Sequence, residues 1–196
     1  RILAELVPNE PEVHALVALM EIQASRMGAR LGPNGEPVLL LDQDRAKWDR
    51  LLIDRGLAAL VRVEALGGSD GRFAFQAAIA ACHARALTPE ATDWQRIAEL
   101  YRRFGERYPS PIIELNRAVA VSMADGPASG LAIVDALASE KVLESYAPLP
   151  GARGDFLFKL GRLEEARAEF ERAAGLTRNE RERTALLARA ASCKKQ

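Results

Sequence analysis

The sequence predicts an all-α protein, and three observations carry that reading. Its 196 residues hold 35 Ala and 26 Leu but only 22 Val, Ile and Thr together, a composition rich in helix formers and poor in strand formers. Apolar residues recur at helical spacing almost throughout, and the breaks fall where Gly, Pro and Asp cluster. In the last third, small residues recur at positions that would let paired helices approach closely.

Taken in order, residues 1–7 read as the end of a helix begun earlier, so the chain is expected to be a fragment of a longer protein. Pro8-Asn9-Glu10-Pro11 closes that turn. Residues 12–26 form the first full helix, with Val13, Leu16, Val17, Met20 and Ala24 on one stripe. Residues 28–37, containing Gly32-Pro33-Asn34-Gly35, make the longest polar loop, and 38–41 a short apolar run. From Asp42 a helical segment extends to about residue 66, with Trp48, Leu52, Ala59, Val63 and Leu66 in phase, until Gly67-Gly68-Ser69-Asp70-Gly71 breaks it. Residues 72–87 and 94–107 pair across the 88–93 loop. Residues 110–124 and 127–139 pair across Asp125-Gly126, and 151–160 and 163–176 across Gly161. A charged helix at 179–192 follows, where Arg178, Arg181, Arg183, Arg189, Lys194 and Lys195 alternate with Glu180 and Glu182 as a solvated face. The expected division is thus 1–8, 9–71 and 72–196.

The helix pairs carry a repeat. Gly154, Leu157, Gly161, Ala166, Phe170 and Ala173 follow the 34-residue tetratricopeptide pattern of a small residue on one helix, then Ala, a large aromatic and Ala on the next. Shifted back 36 residues, the frame falls on Ala118, Val121, Asp125, Gly130, Val134 and Leu137. Ile97, Tyr101, Phe104 and Pro109 occupy the matching part of the pair before. The predicted architecture is therefore a tetratricopeptide-like α-α superhelix, with Phe170 buried between repeats.

The charge balance, 27 basic against 27 acidic residues, argues against a chain built to grip phosphate backbones. Two cysteines, Cys82 and Cys193, and two histidines offer neither a disulfide framework nor a zinc inventory, so a reducing cytoplasm, no metal and no cofactor are expected. No apolar run is long enough for a membrane span. No Gly-rich phosphate loop or nucleophile elbow is present, and adjacent Cys82 and His83 would point apart on a helix, so no enzymatic activity is expected. His14 is a weaker candidate still.

The polar candidates are concentrated. Asp42, Gln43, Asp44 and Arg45, with Trp48 and Asp49, read either structurally, with Asp42 or Asp44 as a cap, an Arg45–Asp49 pair and Trp48 packed inward, or as a recognition site. His83 sits in an Ala-rich helix, where a buried, hydrogen-bonded role competes with a catalytic one. Asp93 and Trp94 read as an N-cap and an anchoring aromatic. Asn116, beside Arg117, is a mediocre helix former in mid-helix, so its amide is expected to bond either a neighbouring helix or a partner in a groove.

Four ordered blocks also resemble one bacterial family. They are Leu41-Asp42-Gln43-Asp44-Arg45 with Trp48-Asp49, then residues 77–84 (Ala-Ala-Ile-Ala-Ala-Cys-His-Ala), Thr92-Asp93-Trp94, and residues 115–121 (Leu-Asn-Arg-Ala-Val-Ala-Val). Together with Gly161-Arg162-Leu163-Glu164-Glu165-Ala166, they resemble the extracytoplasmic-function sigma factors that carry a C-terminal tetratricopeptide-like extension, and the likeness covers essentially the whole chain. The resemblance implies a piece of a transcription initiation factor whose promoter- and polymerase-binding domains are not in this sequence. Residues 1–8 would be the tail of the linker after them. It implies partners among those sigma domains in cis, RNA polymerase or a regulator, such as a DGPF-motif protein. A small-molecule sensor, with a pocket lined by Asp42, Arg45, His83, Trp94, Asn116 and Arg117, is the alternative. Some of those six are expected to converge in space.

Overall fold

Local sequence signals place nearly every helix end. In the computed structural model, which describes residues 2–33 and 35–193, a short helix α1 (Ile2–Leu6) precedes α2 (Pro11–Ser25), whose first position is a proline. A 3₁₀ turn, Met27–Ala29, and an isolated antiparallel bridge between Leu31 and Pro37 follow. Arg1, Asn34, Lys194 and Lys195 lie outside the described residues.

The segment from Asp42 is not one helix. Asp44 caps a 3₁₀ turn, Arg45–Lys47, and the backbone is extended at Trp48 before Asp49 caps α3 (Arg50–Ala65). The expected i,i+4 pair between Arg45 and Asp49 is therefore corrected. With the helix broken at Trp48 the spacing loses its meaning, and the Asp49 carboxylate accepts the Leu52 N–H at 3.1 Å instead.

Five more helices arise as hairpin arms: α4 (Arg72–Arg85), α5 (Trp94–Arg107), α6 (Pro111–Asp125), α7 (Pro127–Ala136) and α8 (Pro148–Lys159). They are completed by α9 (Leu163–Leu176) and α10 (Glu180–Ser192), the latter capped by Asn179. Gly126 and Gly161, at φ 99° and 76°, supply the left-handed backbone that reverses the chain between α6 and α7 and between α8 and α9. All described secondary structure is helical apart from that single bridge. None of the described helices is long and apolar enough to cross a membrane.

The chain packs as two units, Arg1–Tyr108 and Pro109–Gln196. The glycine-rich break at 67–71 lies inside the first as the turn between α3 and α4, because α2 packs against both of those helices. In that unit α4 is the central helix, with Ala74, Phe75, Ala77 and all of residues 79–84 buried. Close approach of α2 and α3 depends on Gly56. A Cβ there would lie 2.6 Å from Ile22 Cγ1 and 3.0 Å from the Ala18 carbonyl.

In the second unit each helix from α6 to α10 packs on the next. The repeat positions form its core: Ala118, Val134, Leu157, Ala166 and Phe170 are buried in one cluster. The Phe170 ring fills the space above Gly154, where a Cβ would stand 2.8 Å from the ring. Gly130 is buried against Ala118 and Ser122 in the same manner, a Cβ falling 2.8 Å from the Ala118 carbonyl.

Candidate functional site

The site begins with a problem of helix ends. The last carbonyls of α4 have no intrahelical partner, and they end in the interior of the first unit. Arg45 meets them. Its Nη1 donates to the His83 and Ala86 carbonyls at 2.9 Å each, and its Nη2 donates to Thr92 Oγ1 at 2.9 Å. The side chain is buried, its guanidinium lies 5.2 Å from the centre of the Trp48 ring, and its positive charge faces the negative end of the helix dipole. Burial pulls its pKa below the ordinary arginine value.

The opposite end of α4 is held with the opposite charge. Gly71 precedes the helix and has no side chain to cap it, so Glu12 of α2 accepts the Phe73 and Ala74 N–H groups at 3.1 and 3.3 Å. Helix α4 is thus clasped at both termini by charges brought from distant parts of the chain.

In this part of the first unit several buried polar atoms have no hydrogen-bond partner within the protein. Arg26 stands 5.7 Å from the ring centre on this side of α2, and His83 meets Trp94 edge to face at 5.2 Å between ring centres. Buried Arg26 Nε, Gln43 Oε1, Arg45 Nε, Trp48 Nε1 and His83 Nδ1 make no hydrogen bond. Burial first, then the charges of Arg45 and Arg26, lowers the His83 pKa from its ordinary 6.5 to about 4, so the ring is neutral at pH 7. Burial raises the neighbouring Cys82 thiol, which is protonated there.

The remaining candidates separate by role. Asp42 is exposed, while Gln43 is buried and donates from Nε2 to the Val38 carbonyl at 3.1 Å. Asp44 and Asp49 are caps, and Asp93 caps α5 by accepting the Arg96 N–H at 2.9 Å. Trp94 is half-buried. Asn116 is exposed on α6, and Arg117 donates to Glu114 at 2.8 and 2.5 Å. Arg45, Trp48, His83 and Trp94 come together in the first unit, whereas Asn116 and Arg117 belong to the second. His14 Nε2 lies 2.9 Å from the Pro8 carbonyl.

Sequence reasoning missed Glu12 and Arg26. Glu12 is 61 residues from the N–H it caps, and no local pattern encodes such a bond. Its only signal was indirect: a helix start at Gly71–Arg72 with no capping side chain of its own.

Comparison with known proteins gives two matches. Residues 1–64 match a family described as a family of unknown function (DUF6596). An uncharacterized protein of Rhizobium meliloti (strain 1021) is 46% identical over 179 residues, which cover 91% of this chain and 42% of that protein. No solved structure matches. The chain thus spans about two fifths of the length of the curated relative it resembles.

Proposed function

We propose that this chain is the C-terminal protein-interaction and regulatory module of an extracytoplasmic-function sigma factor, with tetratricopeptide-like helix hairpins. One observation carries the reading. The blocks at 41–49, 77–84 and 92–94, by which the resemblance is recognised, are joined by the hydrogen bonds of a single side chain, Arg45, so they form one cooperative junction rather than scattered matches. The small-residue register of the α8–α9 pair, with Gly154 under Phe170, supports the repeat architecture. Its work is to hold the sigma domains, RNA polymerase or a separate regulator in the cytoplasm, and promoter recognition belongs to domains outside this sequence.

The test is promoter-driven reporter output from the full-length factor with and without residues 9–196. Loss of output on truncation supports the module, and full output from the truncated factor overturns it. This chain alone should retain no specific promoter, and any residual DNA binding should vanish with added salt.

A second reading, a sensor of a small polar molecule, is favoured by the Arg26 and Arg45 guanidinium groups beside the Trp48 ring, whose Nε atoms, like the indole Nε1, make no hydrogen bond within the protein. A ligand offering acceptors would satisfy those three donors. Thermal stabilisation by a small anion that disappears in Trp48→Phe would identify it.

A further inference from the structure

On the face of the first unit formed by α3, α4 and α5 there is a half-open cavity of about 150 Å³. Three helical stripes build it. Leu60, Val63 and Glu64 come from α3, Ala74 and Ala78 from α4, and Arg96, Leu100 and Arg103 from α5, while Arg85 closes the end beyond Ala78. The two alanines make the depression, because apart from Arg85 at its C-terminal end α4 contributes only methyl groups to the lining. Its apolar lining is aliphatic, and its charged lining is three arginines and Glu64.

The charge of that lining is not internally balanced. Arg103 reaches Asp70 at 2.5 Å and Arg96 feels the charge of Glu99 one turn along α5, but among the described residues neither Arg85 nor Arg96 has an ion pair or a side-chain hydrogen bond, and both are exposed. Glu64 is the one acidic residue lining the cavity among those described, against three arginines. The whole chain has zero net charge, so this is a local surplus and not a reflection of composition.

We propose that this groove docks an acidic peptide segment, one carboxylate side chain meeting Arg85 and Arg96 while an adjacent apolar side chain rests on Ala78 and Leu100. Size selects the occupant. Pockets that enclose drug-sized ligands or nucleotides run to roughly 300–1,000 Å³, whereas this one admits a single side chain and leaves the peptide backbone outside. The apolar lining, which includes no aromatic ring, favours a peptide over a nucleic-acid strand, whose bases need aromatic faces to stack on. The proposal stands on the groove itself and does not depend on the sigma-factor reading.

The experiment uses the full chain and a fluorescein-labelled eight-residue peptide of alternating glutamate and leucine, followed by fluorescence anisotropy. Saturable binding that weakens with added salt is expected. The double variant Arg85→Gln, Arg96→Gln should weaken it about tenfold, as loss of two exposed charge pairs implies. Ala78→Leu should remove it by filling the floor, and Arg55→Gln on the far part of α3 should leave it unchanged. Helical circular dichroism and an unaltered melting temperature keep the variants interpretable. Binding untouched by both groove variants would overturn the proposal. So would displacement of the peptide by inorganic phosphate at matched ionic strength, or tighter binding of a thymidine octamer.

Discussion

The two units solve the same problem, packing short amphipathic helices, by different means. In the second, helices close on one another through small residues: Gly154 lies under Phe170, and Gly130 against Ala118 and Ser122. The contacts are between neighbours in the chain. In the first, the central helix is positioned by charges at its two ends, Glu12 at the start and Arg45 at the finish, both from distant segments. The difference teaches that apolar spacing alone defines a helix pair, while a helix buried almost all round needs its terminal N–H and C=O groups answered from elsewhere.

The comparison can be broken at its strongest points. Arg45→Ala strands the His83 and Ala86 carbonyls and the Thr92 hydroxyl in the interior, and should cost about 3–5 kcal/mol. Chemical denaturation would measure it, and Arg45→Lys should recover only part of the loss because one ammonium does not reproduce the fork. An unaffected midpoint in Arg45→Ala would show that the clasp is ornamental. In the second unit Phe170→Ala should cost about 3–5 kcal/mol through the cavity left above Gly154. A melting temperature equal to that of the parent would mean that the aromatic does not organise the repeat.

Acid sharpens the contrast. His83 is buried and neutral with its pKa lowered from 6.5 to about 4, so between those values the unfolded chain binds a proton that the folded chain refuses. Stability therefore falls as pH drops from about 6.5 to 4, by roughly 2–3 kcal/mol from this group, and is not lost further below that window on its account. His83→Gln should flatten that part of the profile. An identical slope in the variant would rule out His83 as the titrating group.

Smaller effects follow. Gly154→Ala drives a methyl group into the Phe170 ring and should cost about 1–3 kcal/mol, whereas Ala at exposed Gly175, where a Cβ meets nothing, should be neutral or slightly stabilising. The pair of melting temperatures separates overpacking from helix propensity. Glu12→Gln keeps a hydrogen-bond acceptor but removes the charge at the α4 N-terminus, and should cost about 0.5–1 kcal/mol, less at high salt. A larger loss, insensitive to salt, would assign Glu12 a packing role instead.

What could be read in the sequence divides along the same line. Helix hairpins, the turns at Gly126 and Gly161 and the burial of Phe170 were legible because each depends on residues close in the chain. Capping was legible for Asp93 and, with Asp42 as the alternative, for Asp44, but not for Asp49, read as a partner of Arg45, because a continuous helix from Asp42 hides the break at Trp48, since the apolar phase runs through it. Convergence of some of Asp42, Arg45, His83, Trp94, Asn116 and Arg117 was expected from their shared motifs, without saying which, and the chemistry that joins Arg45 to the His83 segment was not, because Arg45 binds backbone carbonyls that carry no residue-specific signal. Nothing local marks Glu12 as a cap.

The Arg45 clasp also bears on the order in which the chain acquires its structure. Its three bonds join residues 38, 41 and 47 positions apart. Closing loops of that length costs conformational entropy before any of the bonds forms, while a hairpin such as α8–α9 closes through Gly161 between adjoining segments. The C-terminal hairpins can therefore condense from local encounters, and the first unit waits on a rarer event, the return of the 45–48 segment to the end of α4. During synthesis Arg45 emerges long before its acceptors, so until residue 92 has left the ribosome its guanidinium remains in water, and the N-terminal helices have no lock.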